Sequence, residues 1–443
     1  MENVSVKKST KWNFLKGAAW IAAGGFAAKL IGAVYRIPLT NAIGGRGLGL
    51  YQMVYPVYCL LLTVSATGIP SSIAKLTAER LARGEGTASL FKTAMKLFVT
   101  IGILGSVIMA ILAPFLSRAQ GSESVVGGYY TLAPSVLLVS AISVFRGWFQ
   151  GRNNMTPTAL SEISEQLIKV GFGLLFAYLF RGNIERAVVF LLLAVSLSEL
   201  FTLFFLFVIY RHAPARQTEN GGEEVKMRSI LRLSIPVTLN SVLLPLSALL
   251  DSVLVPRFLG AYAADPVTLY GLFSGGAVTI INLPVSVCYG IAAASIPAVA
   301  GKKGNPRKRI RYALFVTAAV ALPCALALYL FAEPATRVIF RSLTDGERET
   351  LVQLVRALSV SALTLSCVQT LSACLTAQGK PQYAALSMLI AVTVKTGVYT
   401  ALLRNPQISV LGVAYATNIC YLVAFLLDLL YNWRVSKKKS KEW

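Results

Sequence analysis

Apolar runs of about 18 residues or more recur from one end of this 443-residue chain to the other, and each is long enough to cross a bilayer core of about 30 Å. Twelve are counted, near 13–39, 48–73, 91–116, 129–149, 157–181, 188–210, 230–257, 270–298, 311–332, 352–376, 382–403 and 411–432. The composition agrees: 55% of residues are hydrophobic and 14% charged, against roughly 25% charged in soluble domains. The expected fold is an all-α polytopic membrane protein. Soluble enzyme, secreted disulfide scaffold and DNA-binding protein are disfavoured together. Lys7, Lys8, Lys11 and Lys16 precede the first run as in a signal peptide, but the run continues from Phe14 to Leu39 without a small-residue cleavage site, so it reads as a retained spanning helix.

The charge is lopsided. Lys+Arg 42 against Asp+Glu 19 gives +23, and the placement of the basic residues explains most of it. Numbered alternately, one set of loops holds Lys7, Lys75, Arg80, Arg83, Lys92, Arg146, Arg152, Arg211, Arg216, Lys226 and Arg228, then Lys302 to Arg311, Lys380 and the tail Arg434 to Lys441. The other set holds Arg46, Arg118, Arg181, Arg186, Arg257, Arg404 and a mixed-charge 337–349 segment. The positive-inside rule places the first set, and both termini, in the cytoplasm. There each Lys or Arg gains about 1 kcal/mol from anionic lipid. No nucleic-acid partner is expected, because the clusters follow helix ends. The expected location is the bacterial cytoplasmic membrane.

Cys59, Cys288, Cys324, Cys367, Cys374 and Cys420 all sit in apolar runs without a CxxC pair, and His212 is the single histidine. Nothing here has the spacing of a zinc or haem site. No Walker A, GxSxG or HExxH motif occurs, so the expectation is a non-enzymatic protein without metal or cofactor. Coupling to H+, Na+ or the membrane potential stays open.

The polar 211–229 loop divides the chain into 1–210 and 230–432, six helices each, with a basic tail at 433–443. The halves carry matching segments. Gly49-Leu50-Tyr51 recurs as Gly271-Leu272-Phe273, Gly68-Ile69 as Gly290-Ile291, and Gln150-Gly151-Arg152 as Gln378-Gly379-Lys380. Ala159-Leu160-Ser161 recurs as Ala385-Leu386-Ser387, with Lys169 on Lys395. Six helices per half start both copies on the same face, a parallel repeat, and transporters of this type place the substrate path between halves.

Ionisable residues at membrane depth are costly and point to function. The candidates are Lys29, Arg36, Lys169, Arg257 and Lys395, with Arg146 and Arg152 near the cytoplasmic ends, and the acids Glu162, Glu165, Glu199 and Asp251. Lys169 lies about 18 Å along its helix, near mid-bilayer. Glu165 and Lys169 are spaced i, i+4 in the order that favours a pair, which either neutralises itself or responds to ions. Lys29 is the repeat equivalent of Asp251, so the two are a candidate gate. Together the Lys and Arg residues make a cationic cavity suited to phosphate or pyrophosphate. Arg36 and Arg257 have the alternative of snorkelling to the outer interface.

The segment from Lys29 to Leu39 (KLIGAVYRIPL), then Gly47 to Gln52 (GLGLYQ), Gly68 to Ala74 (GIPSSIA) and Phe145 to Arg152 (FRGWFQGR) with Met155-Thr156-Pro157, resembles polysaccharide flippases of the stage V sporulation protein B and MurJ type. The resemblance spans most of the chain. It implies the multidrug/oligosaccharidyl-lipid/polysaccharide (MOP) exporter fold, two six-helix lobes around a V-shaped cavity. It also implies an undecaprenyl-pyrophosphate-linked saccharide as cargo, such as a peptidoglycan precursor, and a cationic cavity where Lys29 and Arg36 fall. The MurJ type carries two more helices, which form a lipid-tail groove. Expected partners are the lipid-linked anionic glycan and membrane lipids, around a monomer.

Three functions follow. The first is a flippase moving that cargo outward by alternating access. The second is a cation-coupled multidrug exporter of the same superfamily, for which Glu162, Glu165, Glu199 and Asp251 speak. The third is a membrane scaffold in cell-wall or spore-cortex assembly.

Overall fold

The computed structural model describes the backbone of residues 2–213, 227–300 and 306–439. Side chains are described from Ile31 on, apart from those of 33, 236–237, 239–240, 289, 291, 293–300, 306 and 437–439. All regular structure among these residues is helical.

Helix α1, Glu2–Ala66, is two helices joined at Gly44, whose φ of 66° and ψ of −173° interrupt the ladder. Glycine takes this backbone without the Cβ clash other residues meet. The chain then breaks before α2, Ile69–Ala82, which has Pro70 in its first turn, where a missing N–H removes no bond. This helix occupies a stretch the sequence reading left largely to a basic loop. After it come α3 (Ala88–Ala119), α4 (Val126–Gly151), α5 (Thr156–Leu179) and α6 (Ile184–His212). The second half has α7 (Met227–Ser241), α8 (Leu243–Leu259), α9 (Pro266–Tyr270), a π-helical turn at Gly271–Ala277, α10 (Val278–Ala300), α11 (Pro306–Leu330) and the short α12 (Ala332–Ile339). The last three are α13 (Asp345–Ala377), α14 (Pro381–Leu402) and α15 (Leu411–Lys439).

Nine helices among the described residues are long and apolar enough to cross a membrane. The other three expected runs, 13–39, 157–181 and 230–257, fall on the first half of α1, on α5, and on α7 with α8. Every 18-residue window of α5 contains Glu162, Glu165 and Lys169, too many charges for an ordinary span. The 230–257 run is split at residue 242 into pieces of 15 and 17 residues.

Packing is inverted relative to a soluble bundle. On α3, Gly102, Gly105, Ala113 and Ser117 are buried, while Ile111 and Phe115 are 70% and 68% exposed. Small residues let membrane helices approach, and large apolar side chains face lipid. The chain is a multi-pass membrane protein.

Two compact units are present, and neither is a simple half. The first comprises 1–42, 54–118 and 122–245; the second comprises 43–53, 119–121 and 246–443. The boundaries thus differ from a division at 211–229. In the first unit α7 packs on α2, which draws 227–245 into it. In the second, segment 43–53 packs on the turn after α9. A Cβ on Gly271 would stand 2.5 Å from the Gly45 carbonyl oxygen and 2.5 Å from the Gly49 nitrogen. Gln52 Nε2 donates to the Ser274 carbonyl at 3.0 Å, and Gln120 Nε2 to the Met53 carbonyl at 2.8 Å. The two copies of the Gly-Leu-aromatic repeat, at 49–51 and 271–273, therefore meet, and neither tolerates a side chain at its glycine.

Candidate functional site

In the first unit, α1 and α5 touch where Tyr35 sets its hydroxyl against Gly173. A Cβ on Gly32 would lie 3.4 Å from Gln166 Oε1. Arg36 follows Tyr35 on α1, and Lys169 lies one turn before Gly173 on α5. Both side chains are half-buried, and both are within electrostatic reach of the Cys59 thiol. Glu199 of α6, 2% exposed, also acts on Cys59. One Glu199 oxygen accepts the Tyr58 hydroxyl, and its Oε2 is buried without a hydrogen bond. An ionised carboxylate held this way is costly.

Glu165 is not where helical spacing alone would send it. Arg146 of α4 reaches across with one nitrogen on Glu165 Oε2 at 2.9 Å and Nε on the Ser161 hydroxyl at 2.9 Å. Both partners are mostly buried, with side-chain exposures of 15% and 19%. A planar guanidinium meets a carboxylate with better geometry than an ammonium one turn away. Lys169 is left without an ion pair among the described residues. Glu162 is half-buried on the same helix.

Arg152, just past the end of α4, is an anchor. Its guanidinium lies 4.3 Å from the Trp148 ring centroid and donates to Thr87 Oγ1 at 3.0 Å. Trp148 Nε1 donates to that same hydroxyl at 3.0 Å. Burial lowers its pKa from the ordinary arginine value. Neither Arg146 nor Arg152 is thus an open cation of the kind the sequence reading placed at a cavity mouth.

In the second unit, Lys395 of α14 is 5% exposed and Asp251 of α8 is 7% exposed. Lys395 Nζ donates to Asp251 Oδ2 and to the Ser247 hydroxyl at 3.3 Å. The carboxylate that Lys395 requires therefore comes from α8, as Asp251. The Lys29 side chain lies outside the described residues, as do the basic loop residues Arg216, Lys226, Lys302, Lys303 and Lys441. Arg257 is exposed, six residues beyond Asp251.

Sequence reasoning missed several polar residues. Asp428 is fully buried on α15, with Oδ2 accepting the Ser372 hydroxyl at 2.6 Å. Nearby Asn432 bridges Gln378 and the Leu371 carbonyl at 2.8 and 3.0 Å. A lone acid within the 411–432 run was the available signal. Tyr58 and Tyr35 gave none, since tyrosine is common in membrane helices.

Residues 14–302 match the model of a family described as "Polysaccharide biosynthesis protein". The chain belongs to this family. Stage V sporulation protein B of Bacillus subtilis is 26% identical over 427 residues, 92% of this chain and 81% of that protein. In structure the chain is similar to an inward-facing multidrug resistance MATE transporter of the MOP superfamily, with a TM-score of 0.78, 18% identity and coverage of 93% and 96% of the two chains. It is also similar to lipid II flippase MurJ in an inward closed conformation, with a TM-score of 0.73, 14% identity and coverage of 93% and 87%. The fold is therefore the MOP exporter fold. For this member of the polysaccharide biosynthesis family, the described charges at membrane depth divide into Arg36, Arg146 and Lys169 with Glu162, Glu165 and Glu199 in the first unit and a neutral buried pair in the second.

Proposed function

We propose that the chain is a flippase that moves a lipid-linked saccharide pyrophosphate outward across the cytoplasmic membrane by alternating access, with both termini cytoplasmic. The observation that carries this reading is an asymmetry between repeats. In the second unit Asp251 and Lys395 form a neutral pair. Their repeat equivalents in the first are Lys29 and Lys169, two bases. Arg146 holds Glu165, so the nearest acid does not cancel Lys169. Arg36 lies on the helix packed against α5. An anionic headgroup is the ligand such a cluster attracts. Membrane potential, worth about 2.3 kcal/mol per charge per 100 mV, is an adequate drive for an anionic cargo moving outward.

The buried Tyr58–Glu199 contact favours a second reading, an exporter coupled to a proton on Glu199. Depletion in cells separates the two. The flippase reading expects lipid-linked precursor to accumulate on the cytoplasmic leaflet, with rescue by wild type but not by Arg36→Ala or Lys169→Ala. Drug hypersensitivity without precursor accumulation sinks it in favour of the exporter.

A further inference from the structure

The second unit contains a cavity of about 310 Å³ that neither the family nor the cargo reading uses. Ile280 of α10, Cys324 and Ala327 of α11, Phe331, Ala335 of α12 and Val355 of α13 wall it. Its one hydroxyl, on Thr336, already donates to the Glu333 carbonyl at 3.0 Å, so no polar group waits there for a partner. A polar ligand gains nothing in such a site, whereas hydrocarbon does.

What reaches the cavity follows from the helix that forms its rim. Tyr312, Phe315, Leu322, Leu326 and Tyr329 of α11 are 52–70% exposed and recur at helical spacing, so they form one lipid-facing stripe. Phe331, just past the end of α11, lines the cavity and is 62% exposed, so the cavity opens to the surface. Positive charge then gathers beside it. Arg337 directly follows Thr336, Arg356 directly follows Val355, and Arg341 lies just past the end of α12 with Nε on the Val338 carbonyl at 3.3 Å. Glu333 offsets part of this, lying 3.4 Å from Arg337 and 3.9 Å from Arg356. Arg337 and Arg356 share this one carboxylate, which leaves a net positive charge at the rim, and Arg337 is 70% exposed on its side chain.

We propose that this cavity binds one acyl chain of an anionic phospholipid, whose phosphate is held by Arg337 and Arg341. Phospholipid is the occupant because it is the hydrocarbon always present at a lipid-facing surface. The inference is independent of what the protein transports.

Native mass spectrometry of the full chain in mild detergent, offered equal phosphatidylglycerol and phosphatidylethanolamine, tests it. Wild type retains phosphatidylglycerol in preference. Ala327→Trp fills the cavity and lowers retained phosphatidylglycerol severalfold, because the acyl chain loses its close packing against the cavity wall. Arg337→Gln with Arg341→Gln, both on the surface and so compatible with folding, lowers the ratio of the two lipids about tenfold. Unchanged adducts in folded Ala327→Trp, an absent preference in wild type, or an unaltered ratio in the arginine variant each overturn the proposal. So does retention of an added polyprenyl phosphate ahead of phosphatidylglycerol.

Discussion

Lys395 of α14 and Asp251 of α8 form a buried ion pair within the second unit, although 144 residues separate them in the chain. Ser247, one helical turn before Asp251, adds a third polar contact at 3.3 Å. Removing one partner leaves the other charge uncompensated in an apolar setting, at a cost of about 3–5 kcal/mol. Lys395→Met and Asp251→Leu are each expected to lower the thermal midpoint in detergent strongly, and the double variant to recover most of the loss. A double variant no better than the worse single one would show that the pair contributes nothing specific.

Arg146 governs Lys169 without touching it. With Arg146 replaced by Ala, Glu165 is released to pair with Lys169 at i, i+4. Transport is expected to fall severalfold. The double variant Arg146→Ala, Glu165→Gln restores it, because Lys169 is unpaired again. Lys169→Ala is expected to abolish transport with little change in stability. Flux assays on reconstituted protein, with melting curves as control, separate these outcomes from simple unfolding.

Gly49 and Gly271 meet through backbone that leaves no room for a methyl group. Gly271→Ala places its Cβ 2.5 Å from the Gly45 carbonyl, and overpacking of this kind costs about 1–3 kcal/mol. Gly290→Ala, whose Cβ meets nothing within 4 Å, is the matched control. Yield and thermal midpoint of the two variants check the contrast.

Asp265 caps α9, accepting the Thr268 amide at 3.1 Å and its hydroxyl at 2.6 Å, with Arg46 at 3.4 Å. Burial alone would raise the carboxyl pKa, but Thr268 and Arg46 outweigh it and hold the pKa low. A depressed folded pKa means stability that is present above the ordinary carboxylate value of about 3.9 and lost on acidification through the lower, folded one. Asp265→Ala is expected to cost about 0.5–2 kcal/mol at neutral pH. The gap from wild type should narrow as the pH approaches 3, read as the difference in thermal midpoints.

The helical fold was legible because bilayer thickness forces long apolar runs, and those runs are local in sequence. The short helices α2 and α12 were not legible, since both are polar enough to read as loops until packing turns one face inward. The site was half legible. Burial of charge flagged Lys169, Glu165, Glu199, Asp251 and Lys395, but helical spacing mispaired Glu165 and gave no sign that Asp251 is the partner of Lys395.

By itself, then, the sequence determined that the chain crosses the membrane repeatedly, that its halves repeat, and which charges lie at depth. Only the tertiary structure decided which acid neutralises which base. That choice depends on Arg146 reaching Glu165 from a neighbouring helix and Asp251 reaching Lys395 from another. Such contacts are set by helix packing, which side-chain spacing along a single helix does not encode.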